Sequence, residues 1–176
     1  MTDIGKRIVV IGSPGSGKST FSRKLVEITG IPLIHLDKEF WNYGWVETPK
    51  EEWIKKQENL ISGDKWIIDG NYGSTLDIRI EKADTIISFQ LSRTMCILSY
   101  FKRLITNINK IRPDMPEGCL EKLDFEFMKY IWNFPKISGK RNLEILAGSR
   151  DKHIIIFKKR SEANKYIKQL TNKIKK

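Results

Sequence analysis

Five short apolar runs punctuate the chain, at residues 7–11, 32–36, 66–69, 85–91 and 153–157. They are continuously hydrophobic and rich in Ile and Val rather than alternating with polar residues. That pattern suits strands of a parallel sheet covered on both faces. Segments with helical spacing separate them. After the first run, Phe21, Leu25 and Ile28 fall on one helical face. After the second, Thr48-Pro49-Lys50-Glu51 reads as a capping box with proline at the first helical position, predicting a helix to about Ser62 that stops at Gly63. A longer helix is expected after Ser92, carrying Met95, Leu98, Tyr100, Phe101, Leu104 and Ile108. A last one follows Arg160-Ser161. Its stripe of Ala163, Ile167, Leu170 and Ile174 should dock on the core, leaving Lys165, Lys168, Lys173, Lys175 and Lys176 in water. Strands alternating with helices predict an α/β fold with right-handed crossovers.

The segment 109–135 breaks this rhythm. Arg112-Pro113-Asp114-Met115-Pro116-Glu117-Gly118-Cys119 precedes an aromatic cluster of Phe125, Phe127, Tyr130, Trp132 and Phe134. A Pro- and Gly-broken insertion after the fourth strand reads as a mobile lid, with most of the aromatics taken as local core.

Length and composition narrow the picture modestly. The 176 residues suit one domain, 1–176, and 40% hydrophobic with 30% charged residues is ordinary for a globular chain. No apolar run approaches a membrane span, residues 1–6 lack a signal-peptide core, and Cys96 and Cys119 stand far apart without metal-site spacing. A reduced, cytoplasmic setting is the expectation. The formal net charge of +11 is compatible with a nucleic-acid surface. A pocket for polyanionic nucleotides beneath scattered, solvated lysines accounts for it equally, so nucleic acid is not favoured as a partner.

The chemistry is concentrated at the end of the first strand. Gly12-Ser13-Pro14-Gly15-Ser16-Gly17-Lys18-Ser19 is a complete G-x-x-x-x-G-K-[ST] loop between a predicted strand and a predicted helix. Its glycines allow successive backbone N–H groups to converge on an anion at a helix N-terminus. Lys18 can reach the β- and γ-phosphates, and the Ser19 hydroxyl is placed for Mg²⁺. Residues 12–20, including Thr20, are therefore expected to bind a nucleoside triphosphate. Asp37, after the second strand, lies at the carboxyl edge of the sheet, where open α/β folds bind ligands. It reads as a proton acceptor for a substrate hydroxyl or as a local cap. His35 reads as a packed strand residue. Trp41 and Trp45 read either as a stacking platform or as packing that closes the excursion over the sheet. Asn71 and Tyr72 offer neutral hydrogen bonds to an acceptor.

The whole chain resembles the adenylate-kinase-like P-loop kinases, and within them a bacterial group labelled topology modulation protein. The residues carrying the resemblance are His35-Leu36-Asp37, Phe40-Trp41, Gly44-Trp45, Trp66-Ile67-Ile68-Asp69-Gly70-Asn71-Tyr72, Thr75-Leu76, Arg112-Pro113-Asp114-Met115, Gly118-Cys119 and Trp132-Asn133-Phe134-Pro135. The resemblance implies a P-loop NTPase three-layer α/β/α sandwich with a five-stranded parallel sheet in order 2-3-1-4-5. It also implies an acceptor-binding excursion at about 37–64 and a lid at about 109–135. Asp69-Gly70 stands where nucleoside monophosphate kinases carry an Asp-Gly whose aspartate holds water on Mg²⁺, so Asp69 joins Ser19 as a metal-site residue. Those kinases continue with Phe-Pro-Arg; here Asn71-Tyr72 follow and the nearest arginine is Arg79, which departs from a monophosphate kinase. Arg103 is preferred over Arg112 and Arg141 as the arginine that completes the phosphate cage. The expected function is an ATP- and Mg²⁺-dependent kinase acting on a small acceptor such as a nucleoside, nucleotide or hydroxyl metabolite. A nucleic-acid-associated regulatory ATPase and a nucleotide switch with little turnover are the alternatives.

Overall fold

The computed structural model describes residues 4–174. Lys175 and Lys176 of the expected lysine face lie outside them. In chain order the elements are β1 (Arg7–Gly12), α1 (Lys18–Thr29), β2 (Leu33–His35), α2 (Leu36–Phe40), β3 (Trp41–Asn42), β4 (Val46–Glu47), α3 (Lys50–Leu60), β5 (Trp66–Asp69), α4 (Leu76–Lys82), β6 (Thr85–Phe89), α5 (Arg93–Asn107), α6 (Phe125–Asn133), α7 (Ser138–Gly148), β7 (His153–Phe157) and α8 (Arg160–Ile174). The five apolar runs form one parallel sheet in the order β2-β5-β1-β6-β7. Counting only those five strands, this is the expected 2-3-1-4-5. β3 and β4 form a separate antiparallel hairpin.

Two apolar layers cover the sheet. On one side Phe21, Leu25, Cys96, Tyr100, Ile131, Ala163, Ile167 and Leu170 pack against Ile8, Val10, Ile67 and Ile87. On the other, Trp53, Ile61, Leu76, Ile80 and Leu146 pack against Val9, Ile11, Ile68 and Ile86. Alternate residues of β1 thus serve opposite layers, which is why its apolar run is unbroken. Because all five strands are parallel, their carboxyl ends share one edge, and ligand-binding loops collect there.

Several local expectations change. Thr48 does not cap α3; its hydroxyl donates to the Phe40 carbonyl (2.5 Å) and pins the hairpin, while Pro49 takes the cap position and the helix ends at Leu60. The hydroxyl oxygen accepts from Asn42 Nδ2 (3.3 Å) rather than from a helix amide. On α5 only Cys96, Tyr100 and Leu104 are buried; Met95, Leu98 and Phe101 face solvent, as does Ile108 just past its end. In the lid segment Phe134 is buried, but Phe125 is 71% and Trp132 47% exposed, so those aromatics are not core. The Arg93 guanidinium lies over the Trp132 ring instead, 4.7 Å from its centroid. Ile174, last of the α8 stripe, is also exposed.

Candidate functional site

A cavity of about 1090 Å³ opens at the carboxyl edge of the sheet. Gly12 and Pro14 through Thr20 line it from below, with Asp37, Trp41, Trp45, Asp69, Asn71, Tyr72, Arg103, Arg112 and Asp114 around it. The sequence-predicted residues, apart from Ser13 and Arg79, are therefore brought to one wall. Ser13 is buried beneath, its carbonyl accepting from Lys18 Nζ (2.9 Å).

The loop owes its shape to close approaches. Gly12 and Gly15 have φ of 140° and 74°. A Cβ on Gly12 would sit 2.5 Å from the Phe89 carbonyl oxygen, and one on Gly15 would collide with the Cys96 carbonyl oxygen. Only glycine permits both the backbone and the contact. Burial pushes the Lys18 ammonium pKa down, with Asp69 and Asp37 pulling against it. An anion in the nest would restore the charged form.

Asp69 closes β5 facing the loop. His35 Nδ1 lies 2.8 Å from its Oδ1, while Oδ2 is buried without a hydrogen-bond partner. His35 is thus more than a packed strand residue. Burial works against its charged form, but the hydrogen bond and charge of Asp69 prevail and its pKa is raised. The orphaned Asp69 oxygen and the Ser19 hydroxyl are hard oxygen donors on one wall, a set that fits Mg²⁺ or a water on it. Among the described residues no group of three His, Cys, Asp or Glu side chains could hold a metal alone. A cation here would share its coordination with phosphate oxygens.

Asp37, in the first turn of α2, is half-buried and accepts from the Tyr72 hydroxyl at 2.8 Å. Burial raises its pKa above the ordinary carboxylate value; the Tyr72 hydrogen bond and Arg112 oppose that rise. Tyr72 has φ 38° and packs against Phe40 and Trp53, fixing the direction of its hydroxyl. Asn71 turns toward the loop: its Oδ1 accepts from the Gly12 amide (3.0 Å), leaving the buried Nδ2 unpaired. Trp41 and Trp45 meet edge to face with centroids 5.4 Å apart, and the Trp45 indole N–H donates to the Leu120 carbonyl (3.2 Å) across the cavity. Both indoles line the cavity, and the Trp45 bond to Leu120 ties the hairpin to the segment opposite.

The arginines divide. Arg79 is a correction: it is fully buried outside the cavity wall, donating to Gln57 Oε1 (3.1 Å) and to the Asn71 and Tyr72 carbonyls. It shapes the loop that carries Asn71 and Tyr72 and cannot reach an acceptor. Burial lowers its pKa to about 9. Arg141 pairs with Asp77 on the surface, also outside the wall. Arg103 and Arg112 do line the cavity, sharing the buried carboxylate of Glu121 at 2.8 and 2.7 Å, with Arg112 also held by Asp114 at 3.0 Å. Sequence reasoning missed Arg160. From the start of α8 its guanidinium donates to the Gly15 carbonyl (2.5 Å) and to Ser99 Oγ (2.5 Å). Its only sequence signal was a cation following the last strand.

No protein-family model matches the chain. An adenylate kinase from Thermotoga petrophila is 28% identical over 106 residues, 58% of this chain and 47% of that protein. The chain spans about half the length of that curated relative. Among solved structures, a shikimate kinase from Acinetobacter baumannii in complex with shikimate superposes with TM-score 0.63 and 12% identity, over 98% of this chain and 94% of that one. A gluconokinase from Sinorhizobium meliloti gives 0.54 and 16%, over 97% and 91%. The chain has a P-loop kinase fold. Among the described residues no helix of this fold is long and apolar enough to cross a membrane.

Proposed function

We propose that the chain is an ATP-dependent phosphotransferase that moves the γ-phosphoryl group of Mg-ATP to a hydroxyl of a small acceptor. Carrying the reading is the placement of the phosphate loop and the Asp37–Tyr72 pair on the wall of one cavity. The kinase names of the similar proteins support the same class, and the sequence motifs favour the topology modulation group within it.

Phosphoryl transfer asks a protein mainly for alignment and charge stabilisation. The amides of residues 15–19 would hold the β-phosphate, and Lys18 would exchange its bond to the Ser13 carbonyl for phosphate oxygens. Ser19 would hold Mg²⁺ directly and Asp69 a water on it; the ion neutralises charge on the transferred group. Arg103, on the helix that leads into the lid, would close on the γ-phosphate. Asp37 would orient the acceptor hydroxyl and take its proton. The acceptor oxygen then bonds to phosphorus, the bond to the bridging oxygen breaks, and ADP leaves with that electron pair. Residues 109–135 would act as the lid, and 37–64 as the acceptor-binding excursion.

The test is ADP release from Mg-ATP across nucleosides, nucleotides and hydroxylated metabolites, with Lys18→Ala as the blank. One acceptor that raises turnover well above the basal rate is the expected result. A flat response equal to the Lys18→Ala blank would refute the assignment.

A further inference from the structure

The acceptor end of the cavity is built from Asp37, Trp41, Trp45, Tyr72, Arg112 and Asp114. Its charges are already spoken for. Arg112, with only 11% of its side chain exposed, is paired with both Asp114 and Glu121, and Glu121 also holds Arg103. Arg79, the arginine nearest in sequence to the loop after β5, is turned into the core. That leaves Asp37 and the buried Asp114 and Glu121 against Arg103 and Arg112, an excess of one negative charge. The wall cations without a carboxylate partner lie elsewhere: Lys18 and Arg160 at the phosphate loop, bonded to its carbonyls, and Arg23, Lys24, Lys102 and Lys122 on α1, α5 and the lid, of which Arg23, Lys102 and Lys122 are solvent-exposed, where screening weakens them.

Hairpin and lid touch at three places over this end. The Trp45 indole reaches the Leu120 carbonyl, Cys119 Sγ lies 3.4 Å from the Asn42 carbonyl, and a Cβ on Gly118 would meet the Tyr43 ring at 2.6 Å. Hairpin and lid thus meet over a space walled by three aromatic rings. In such a space an anionic group would lose hydration, find only Lys18 as an unpaired buried cation, which the triphosphate would engage, and lie beside Asp37. An uncharged ring loses little hydration, stacks on indole, and offers hydroxyls to Asp37.

We infer that the acceptor is an uncharged, hydroxyl-bearing ring compound, held by Trp41, Trp45 and Asp37, and that the Asp37–Asp114–Glu121 carboxylates exclude its phosphorylated or carboxylated counterparts. The inference rests on the kinase reading for its chemistry. The γ-phosphorus–oxygen bond forms at the acceptor hydroxyl, whose proton passes to Asp37, and ADP departs.

Matched pairs test it: nucleosides against their 5′-monophosphates and hexoses against their 6-phosphates. ADP release reads turnover, and quenching of tryptophan fluorescence with a non-hydrolysable Mg-ATP analogue reads binding. The expected result is a neutral member used about 100-fold better in kcat/KM than its anionic partner, since unfavourable charge juxtaposition costs several kcal/mol. In Asp114→Asn that ratio should shrink about tenfold; an unchanged ratio would remove the carboxylates as the excluding device. Arg23→Gln should leave the ratio alone. Preference for the anionic member, lost in Arg23→Gln, would overturn the inference in favour of an anion anchored at the rim. Quenching by no compound would overturn it as well. Quenching by neutral members without ADP release would uphold the ligand class and refute the phosphotransferase reading instead.

Discussion

Asp37 and Tyr72 are 35 residues apart and share one hydrogen bond, and that bond sets when the carboxylate can accept a proton. Burial raises the Asp37 pKa and the Tyr72 hydroxyl lowers it. Acceptor-dependent kcat/KM should therefore fall on the acid side with an apparent pKa above the ordinary carboxylate value. In Tyr72→Phe the limb should move to still higher pH, because the ionised form loses a donor. A pH–rate profile checks both; a limb that stays put would exclude Asp37 as the base. The same raised pKa has a stability consequence of opposite sense to a salt-bridged aspartate. The unfolded chain releases this proton first, so the contribution of Asp37 to stability falls as pH rises from the unfolded pKa to the folded one. Arg79 acts at a distance from the chemistry. Arg79→Met should cost about 3 kcal/mol in denaturant unfolding, since Gln57 and two loop carbonyls lose their donor. Activity should drop through the displaced Asn71 and Tyr72 rather than through a lost substrate contact.

At the scale of elements, the β3–β4 hairpin and residues 118–120 of the proposed lid touch each other, so the proposed nucleotide and acceptor sites would share a roof. The hairpin turn holds Gly44 and Trp45 at φ of 72° and 66°, the latter a conformation that side chains adopt at a cost. That geometry aims the indole at Leu120. Gly118→Ala should cost about 1–2 kcal/mol locally from its φ of 76°, because the exposed Tyr43 ring can swing aside. Limited proteolysis should then cut residues 108–124 faster while the global unfolding midpoint moves little. Equal cleavage rates would show that the hairpin does not hold the lid. The Glu121 carboxylate does the complementary work beneath, joining the helix that enters the lid (Arg103) to the lid itself (Arg112).

For the molecule as a whole, ligand binding and stability are coupled by mass action. Mg-ATP at about 100 times its dissociation constant should add about 2.7 kcal/mol, or about 5–10 °C in Tm for a chain of this size. Lys18→Ala should abolish most of that shift while retaining the ligand-free Tm, since its side chain faces the cavity rather than either apolar layer. An undiminished shift would move the nucleotide elsewhere. The net charge of +11 was the weakest guide of all. Much of it is lysine in water, while Arg103 and Arg112 are neutralised inside the fold by Glu121 and Asp114.

Local rules carried the architecture. Unbroken apolar runs read as buried strands, which holds for β1, β5 and β6 but not for the edge strands β2 and β7, and the strand–loop–helix context made the phosphate loop legible from residues near in sequence, whereas the sheet order came from the family resemblance. Asp37, Trp41, Trp45 and Tyr72 were legible as candidates because they follow strand ends, and parallel strands end on one edge. Tertiary structure alone decided which charges are free. Whether Arg79 faces substrate or core, whether Arg103 and Arg112 are open or share Glu121, and whether Arg160 reaches the loop are matters of partners 7 to 145 residues away. Electrostatic pairing depends on ångström distances and burial, and neither has a period along the chain.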